Sequence, residues 1–192
     1  MARISAIILG AGLSQRMGKE NKLFLSINGK PMIEWVIESV TASSVSEVII
    51  VGSELSMDKL EKWKSASVKV VENKKYKSGM TSSIQTGVNS ANGDGYMICL
   101  GDQPNIQTST YDQLIKAFNA HENKIVLPFF EGRKGNPSIF PSQFRGDILQ
   151  HKDPEGCRAI IQGNKSKIYK VEVSDPGVLM DIDTPQDYHQ SS

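Results

Sequence analysis

The chain has 192 residues, with 22 Lys and Arg against 21 Asp and Glu, and 39% of its residues are hydrophobic. That length and apolar content suit one domain with a proper core, spanning residues 1–192. The net charge of +1 gives no support for a general binder of nucleic acid or of anionic membranes, so any affinity for anions has to arise locally.

No apolar run approaches the ~20 residues needed to span a bilayer. The opening MARISAIILGAG has too short an apolar stretch for a secretory signal, and glycines follow at once. The expected location is therefore the cytoplasm. Cys99 and Cys157 lie far apart and outside any CxxC or Cys/His spacing, which reads as two small semi-buried hydrophobes. His121, His151 and His189 fall into no ligand spacing and read as surface or structural residues.

In chain order, ISAIIL (4–9) is the first β-branched run, followed by the loop LGAGLSQRMGKENK. LFLSINGKP (23–31) carries an Asn-Gly turn and predicts a local hairpin. PMIEWVIESV (31–40) predicts a helix with Met32, Trp35, Val36 and Ser39 on one face and Pro31 in its first turn. Strands follow at EVIIV (47–51) and VKVV (68–71), a basic turn at KKYK (74–77), and a helix at MTSSIQTGVNSA (80–91). YMICL (96–100) is a strand and TSTYDQLIKAFNAH (108–121) a helix. Further strands are expected at KIVLP (124–128) and KIYKVEV (167–173). GRKGNPSIFP (132–141) predicts an extra strand at SIF outside the alternation. The alternation itself predicts an α/β fold with a mostly parallel sheet.

The loop after the first strand fits neither common phosphate-binding template. Against GxGxxG, Gly10 and Gly12 match but Gln15 stands at the third glycine, and the only ribose partner, Glu54, comes too late. Against the P-loop, five residues separate Gly12 from Gly18 instead of four, and Glu20 replaces the magnesium-binding hydroxyl. The residue types still suit phosphate. Glycine amides approach an anion closely, Arg16 offers a planar fork, and Lys19 and Lys22 add charge.

LGAGLSQRMGKENKLFLSINGKPMIEWV resembles the LAAGxSxRMGxxKxLxxxxGxPL opening of the MobA-like nucleotidyltransferases, which include the molybdenum-cofactor cytidylyltransferases. SGMTSSIQTGV (78–88) is similar to that family's GMSSSLxxGL, LGDQP (100–104) to LGDMP, GRKGNP (132–137) to GRxGHP, and MDIDTPQDY (180–188) to DIDTPEDL. Five motifs in the right order cover nearly the whole chain. The resemblance implies a three-layer, Rossmann-like nucleotidyltransferase fold with a mixed, mostly parallel sheet. The implied reaction joins a nucleoside monophosphate from an NTP to a phosphorylated acceptor and releases pyrophosphate.

A phosphate acceptor is already largely ionised at neutral pH, so alignment and charge neutralisation carry the chemistry without a dedicated general base. The resemblance assigns Arg16, Lys22 and Asp102 to catalysis. It assigns Leu9, Gly10, Ala11, Gly12, Arg16, Lys22, Gly79, Met80, Thr81 and Ser82 to nucleotide binding. Mg²⁺ is the implied cofactor, held by Asp102 and Asp183; Asp181 is the alternative, because two residues apart on a strand share a face. Ala11 and the Thr81-Ser82-Ser83 run favour CTP over GTP, and the cytidylyltransferase branch implies molybdopterin as acceptor and a molybdenum enzyme as recipient of the product. Arg133, Gly135, Asn136 and Pro137 are the implied acceptor loop. Asn136 departs from the family His, and Asn carries neither proton nor charge. A sugar- or polyol-phosphate acceptor and a non-catalytic cofactor carrier are the competing readings.

Overall fold

The computed structural model describes residues 1–12 and 21–182. Its strands are β1 (Ile4–Leu9), β2 (Ser26–Ile27), β3 (Lys30–Pro31), β4 (Glu47–Gly52), β5 (Val68–Glu72), β6 (Gly95–Leu100), β7 (Ile125–Phe130), β8 (Arg133–Lys134), β9 (Ser138–Pro141) and β10 (Ile168–Glu172). The helices are α1 (Met32–Thr41), α2 (Met57–Leu60), α3 (Met80–Ser90), α4 (Thr108–Ala120), α5 (Arg145–Gln150) and α6 (Arg158–Gly163). The main sheet runs β10-β7-β9-β6-β1-β4-β5, and β8 pairs with the end of β7. Neighbours are parallel except around β9, which lies antiparallel between β6 and β7, and at β8. The antiparallel strand at SIF and the Asn28-Gly29 hairpin turn both occur as the sequence predicts.

Alternation along the strands sorts the core into two halves. Ile4, Ala6 and Ile8 of β1 face the side covered by α1 and α4, together with Val48, Ile50 and Met97. Ile7, Ile49, Val51 and Ile98 face the opposite side, against Ile84 and Val88 of α3, Ile148 of α5 and Ile160 of α6. Helices on both faces of one sheet make the three-layer α/β fold.

Helix α1 buries a different face from the one its letters predict. Met32, Ile33, Val36, Ile37 and Val40 point into the core, while Trp35 and Ser39 sit at the margin. The branched aliphatics have no polar atom to satisfy, so they take the interior. The Trp35 indole has one, and it donates to the Ile27 carbonyl of the hairpin at 2.9 Å, with Lys30 Nζ 3.5 Å above the ring centre. Pro31 is the cap residue ahead of the helix, one position before its first turn.

Candidate active site

A cleft of about 230 Å³ opens where the chain leaves β1 and β6 at their carboxyl ends. From β1 the chain continues to β4 and β5 on one side, while β6 lies on the other, so the cleft sits at the switch point where open α/β sheets bind ligands. Leu9, Ala11 and Gly12 line it from β1, and Leu100, Gly101 and Asp102 from β6. The two ends run very close together. A Cβ on Gly101 would stand 2.6 Å from the Leu9 carbonyl oxygen, so only glycine lets Asp102 reach this position.

Lys22 enters the cleft from the start of a short 3₁₀ turn, Lys22–Phe24, capped by the Asn21 side chain accepting from Leu23 N at 3.1 Å. Leu23 is buried in the core, which fixes the turn and aims its neighbour. Lys22 Nζ lies 2.6 Å from Asp102 Oδ2, and both side chains are mostly shielded from water. The other carboxylate oxygen, Oδ1, is buried and has no hydrogen-bond partner among the described residues. A buried carboxylate oxygen is an acceptor only, so this atom is matched to a cation or a donor that the described residues do not supply.

The remaining wall is the segment between β5 and α3. Gly79 opens α3 with φ of +100°, and a Cβ there would fall 2.8 Å from the Pro154 carbonyl oxygen. Met80, Ser83, Tyr76 and Lys77 complete the lining. Buried Asn73 organises this wall. Its amide donates to Ser82 Oγ at 2.8 Å and Ser83 Oγ at 3.0 Å, and its carbonyl accepts from Lys75 N at 2.8 Å. Ser83 lines the cleft while accepting from Asn73, so its own hydroxyl proton remains for use as a donor. The Tyr76 hydroxyl donates to Glu54 at 2.9 Å, and that bond to a carboxylate pushes the phenol above its ordinary pKa.

The sequence-predicted residues divide accordingly. Leu9, Ala11, Gly12, Lys22, Gly79, Met80 and Asp102 converge on the cleft. Gly10 does not: its amide donates to the Val51 carbonyl at 2.8 Å and its carbonyl accepts from Ser56 Oγ, which extends the sheet. Thr81 is turned to the loop after α5, donating to the Asp153 carbonyl and accepting from Gly156 N. Ser82 donates to the Lys75 and Gly79 carbonyls. Arg16, Lys19, Asp183 and His189 lie outside the described residues. Ser83, read from the letters as part of the run that bears on the base, does line the cleft; sequence reading did not single out Leu23, Tyr76, Leu100 and Gly101 as lining, and it took KKYK for a solvated turn. Lys74 and Lys75 are exposed as that reading expects, but Tyr76 is buried and Lys77 borders the cleft.

The loop expected to face the acceptor follows β7, at the same edge of the sheet. Gly135 and Pro137 are buried, Asn136 is half-buried with its amide donating to the Val178 carbonyl at 3.0 Å, and Arg133 is exposed. Lys134 is exposed overall, yet desolvation of its amine and the positive charge of Arg158 hold it below the usual lysine range. Asp181 accepts a 2.5 Å bond from the Gln103 amide, and Ile182 N donates to the Asp102 carbonyl at 3.0 Å. Among the described residues no three or more His, Cys, Asp or Glu side chains converge on one point, and no helix is long and apolar enough to cross a membrane. Cys99 and Cys157 are buried and unpaired.

Residues 6–169 match the family model described as the MobA-like NTP transferase domain. The chain belongs to that family. Molybdenum cofactor cytidylyltransferase of Escherichia coli (strain K12) is 25% identical over 197 residues, covering 98% of this chain and 95% of that protein. A probable molybdenum cofactor guanylyltransferase of Natranaerobius thermophilus is 33% identical over 131 residues, 67% of this chain and 62% of the relative. The solved structure of a nucleotidyl transferase from Methanothermobacter thermautotroptrophicus shares the fold with a TM-score of 0.83 at 24% identity, over 98% of this chain and 95% of that one. The protein is a nucleotidyltransferase of this family, and its mixed, mostly parallel sheet is the family's Rossmann-like fold.

Proposed function

We propose that the protein transfers the CMP moiety of CTP to the phosphate of the molybdopterin cofactor, releasing pyrophosphate, with Mg²⁺ as its metal. The observation that carries this reading is the Lys22–Asp102 pair at the switch point, with Asp102 Oδ1 buried and unpartnered among the described residues. Mg²⁺ is commonly held by one or two carboxylates together with substrate phosphate oxygens, and this carboxylate suits that use. Asp102 and a second carboxylate from 181–183, Asp183 in preference, would hold the ion, which supplies charge neutralisation on the triphosphate when bound.

The chain's own groups would do the rest. Lys22, joined by Arg16, would offset the charge that builds on the departing pyrophosphate, and Gly12, which lines the cleft, would offer its amide to the phosphates. Ser83 would donate to the base edge between the apolar walls of Leu9, Ala11 and Met80. The letters at Ala11 and 81–83 favour cytosine, and the Escherichia coli relative's name points the same way. Lys134 beside Arg158, two like charges near the loop 133–137, would be relieved by an acceptor phosphate. A molybdenum enzyme receiving the product completes this reading. Asn136 favours a second one, in which the acceptor is a sugar or polyol phosphate.

The test is pyrophosphate release from CTP, GTP, ATP and UTP in Mg²⁺, each with molybdopterin or a panel of sugar phosphates. Release with CTP and molybdopterin is expected. Release with GTP alone overturns the base assignment, release only with a sugar phosphate replaces the acceptor, and no release from any pair ends the enzyme reading.

A further inference from the structure

Gln103 immediately follows Asp102 and is 1% exposed. Its Nε2 donates to two acceptors, Asp181 Oδ1 at 2.5 Å and the Val178 carbonyl at 3.3 Å. That pair fixes the amide's orientation, because the flipped amide would set its oxygen against a carboxylate and a carbonyl. The same orientation leaves Gln103 Oε1 buried without a partner among the described residues. A buried amide with an unused oxygen costs stability, so its retention here calls for a reason.

The reason lies in what Gln103 joins. The Val178 carbonyl also accepts from Asn136 N at 3.0 Å, and Ile182 N donates to the Asp102 carbonyl at 3.0 Å. Residues 178–182 are thus held to the Asp102 loop on one side and to the loop 135–137 on the other. Within this stitching, the bond to Asp181 is the one made by a side chain to a carboxylate, and charge assistance makes it short and directional. A methionine, the residue the family motif carries between Asp and Pro, has no donor with which to make it.

We propose that Gln103 is a positioning residue for the metal site: its amide holds the Asp181 carboxylate beside the Asp102 loop, so that Asp181 can serve as the second carboxylate. The inference rests on the metal reading above and deepens it. Carboxylates that serve a metal are commonly held by such outer hydrogen bonds, and losing one costs about 10–100-fold in metal affinity.

The test is a double-mutant cycle read on Mn²⁺ alone. Mn²⁺ affinity is measured by electron paramagnetic resonance on wild type, Gln103→Met, Asp181→Ala and the double variant, with thermal melts as fold controls. Each single change is expected to weaken Mn²⁺ binding about tenfold, and the double variant to be no weaker than the worse single one. In turnover, Gln103→Met should raise the KM for Mg²⁺ and recover wild-type kcat at saturating metal. Unchanged Mn²⁺ affinity in folded Gln103→Met overturns the proposal, as do independent, additive effects. Should Gln103→Met fail to fold, Gln103→Asn, whose amide is one methylene too short for Asp181, takes its place in the cycle, and unchanged Mn²⁺ affinity or additive effects overturn the proposal in the same way. No Mn²⁺ binding by wild type overturns it together with the metal reading. Mn²⁺ binding without pyrophosphate release from any NTP ends only the enzyme reading, and the cycle still decides on Gln103.

Discussion

The two ends of the central strands hold carboxylates in opposite circumstances. At the amino end, Glu47 has both oxygens engaged: Oε1 accepts from Ser5 Oγ and Asn92 N, each at 2.7 Å, and Oε2 accepts from Lys69 at 2.8 Å. At the carboxyl end, Asp102 has one oxygen on Lys22 and one buried and unpartnered among the described residues. The first arrangement completes itself within the fold and stabilises it. The second is not completed by the described residues, as a binding group requires. In both places the carboxylate faces a lysine, so a count of ion pairs would not tell them apart. The difference lies in the oxygen left over.

That contrast predicts opposite mutational profiles. The largest effect is expected at the carboxyl end. Asp102→Asn should lower pyrophosphate release to background with its far-ultraviolet circular dichroism and thermal melt little changed, and Lys22→Met should cost about 10²–10³ in rate. Wild-type turnover in Asp102→Asn would remove the site from this cleft. At the amino end the profile should reverse. Glu47→Gln is expected to cost about 1–3 kcal/mol of stability by urea titration at neutral pH, leaving turnover intact.

The acid limb sharpens the same point. Burial raises the Glu47 pKa, but the bonds from Lys69, Ser5 and Asn92 outweigh it and hold the group below its ordinary 4.5. A depressed carboxylate stabilises fully above the unfolded value and loses that contribution as pH falls through the folded one. Wild type should therefore lose stability below pH 4.5 more steeply than Glu47→Gln, and equal slopes would refute the account. The smallest effect lies between the two ends. Desolvation pushes Cys157 from 9.0 to about 12 and Cys99 well upward, so both stay thiols when folded. Neither should react with Ellman's reagent at pH 8 until the chain is denatured, and their contribution to stability should fall as pH rises from 9 towards 12.

Much of the fold was legible because strands and the longer helices carry dense local signals. Six β-branched runs, three helices, the Asn-Gly hairpin and the strand at SIF all appear where their letters place them. Helices α2, α5 and α6 were not read, since four to six residues do not complete the two turns in which a helical period shows itself. The motifs located the loops of the site but not what their side chains hold. Thr81, Ser82 and Ser83 look alike as ligands in the letters, yet the first two hydroxyls serve carbonyls near at hand and Ser83 alone of the three lines the cleft. Which neighbour captures a hydroxyl is decided by tertiary packing, as with Asp153, 72 residues from Thr81 along the chain. The Lys22–Asp102 contact joins residues 80 apart and is invisible to any local pattern.

Strand β9 has a consequence for how such an enzyme can change. Running against its neighbours between β6 and β7, it keeps those two parallel strands two spacings apart, about 10 Å. The loop that follows β7 is thereby set off from the cleft at β1 and β6 like a jaw mounted on its own hinge plate. Because β9 meets both neighbours through backbone pairing, the exposed side chains of Arg133 and Lys134 can be exchanged without redrawing the strands that carry the cleft. On the proposed reading, in which this loop takes the acceptor, new acceptors would be explored at one jaw while the other keeps its nucleotide.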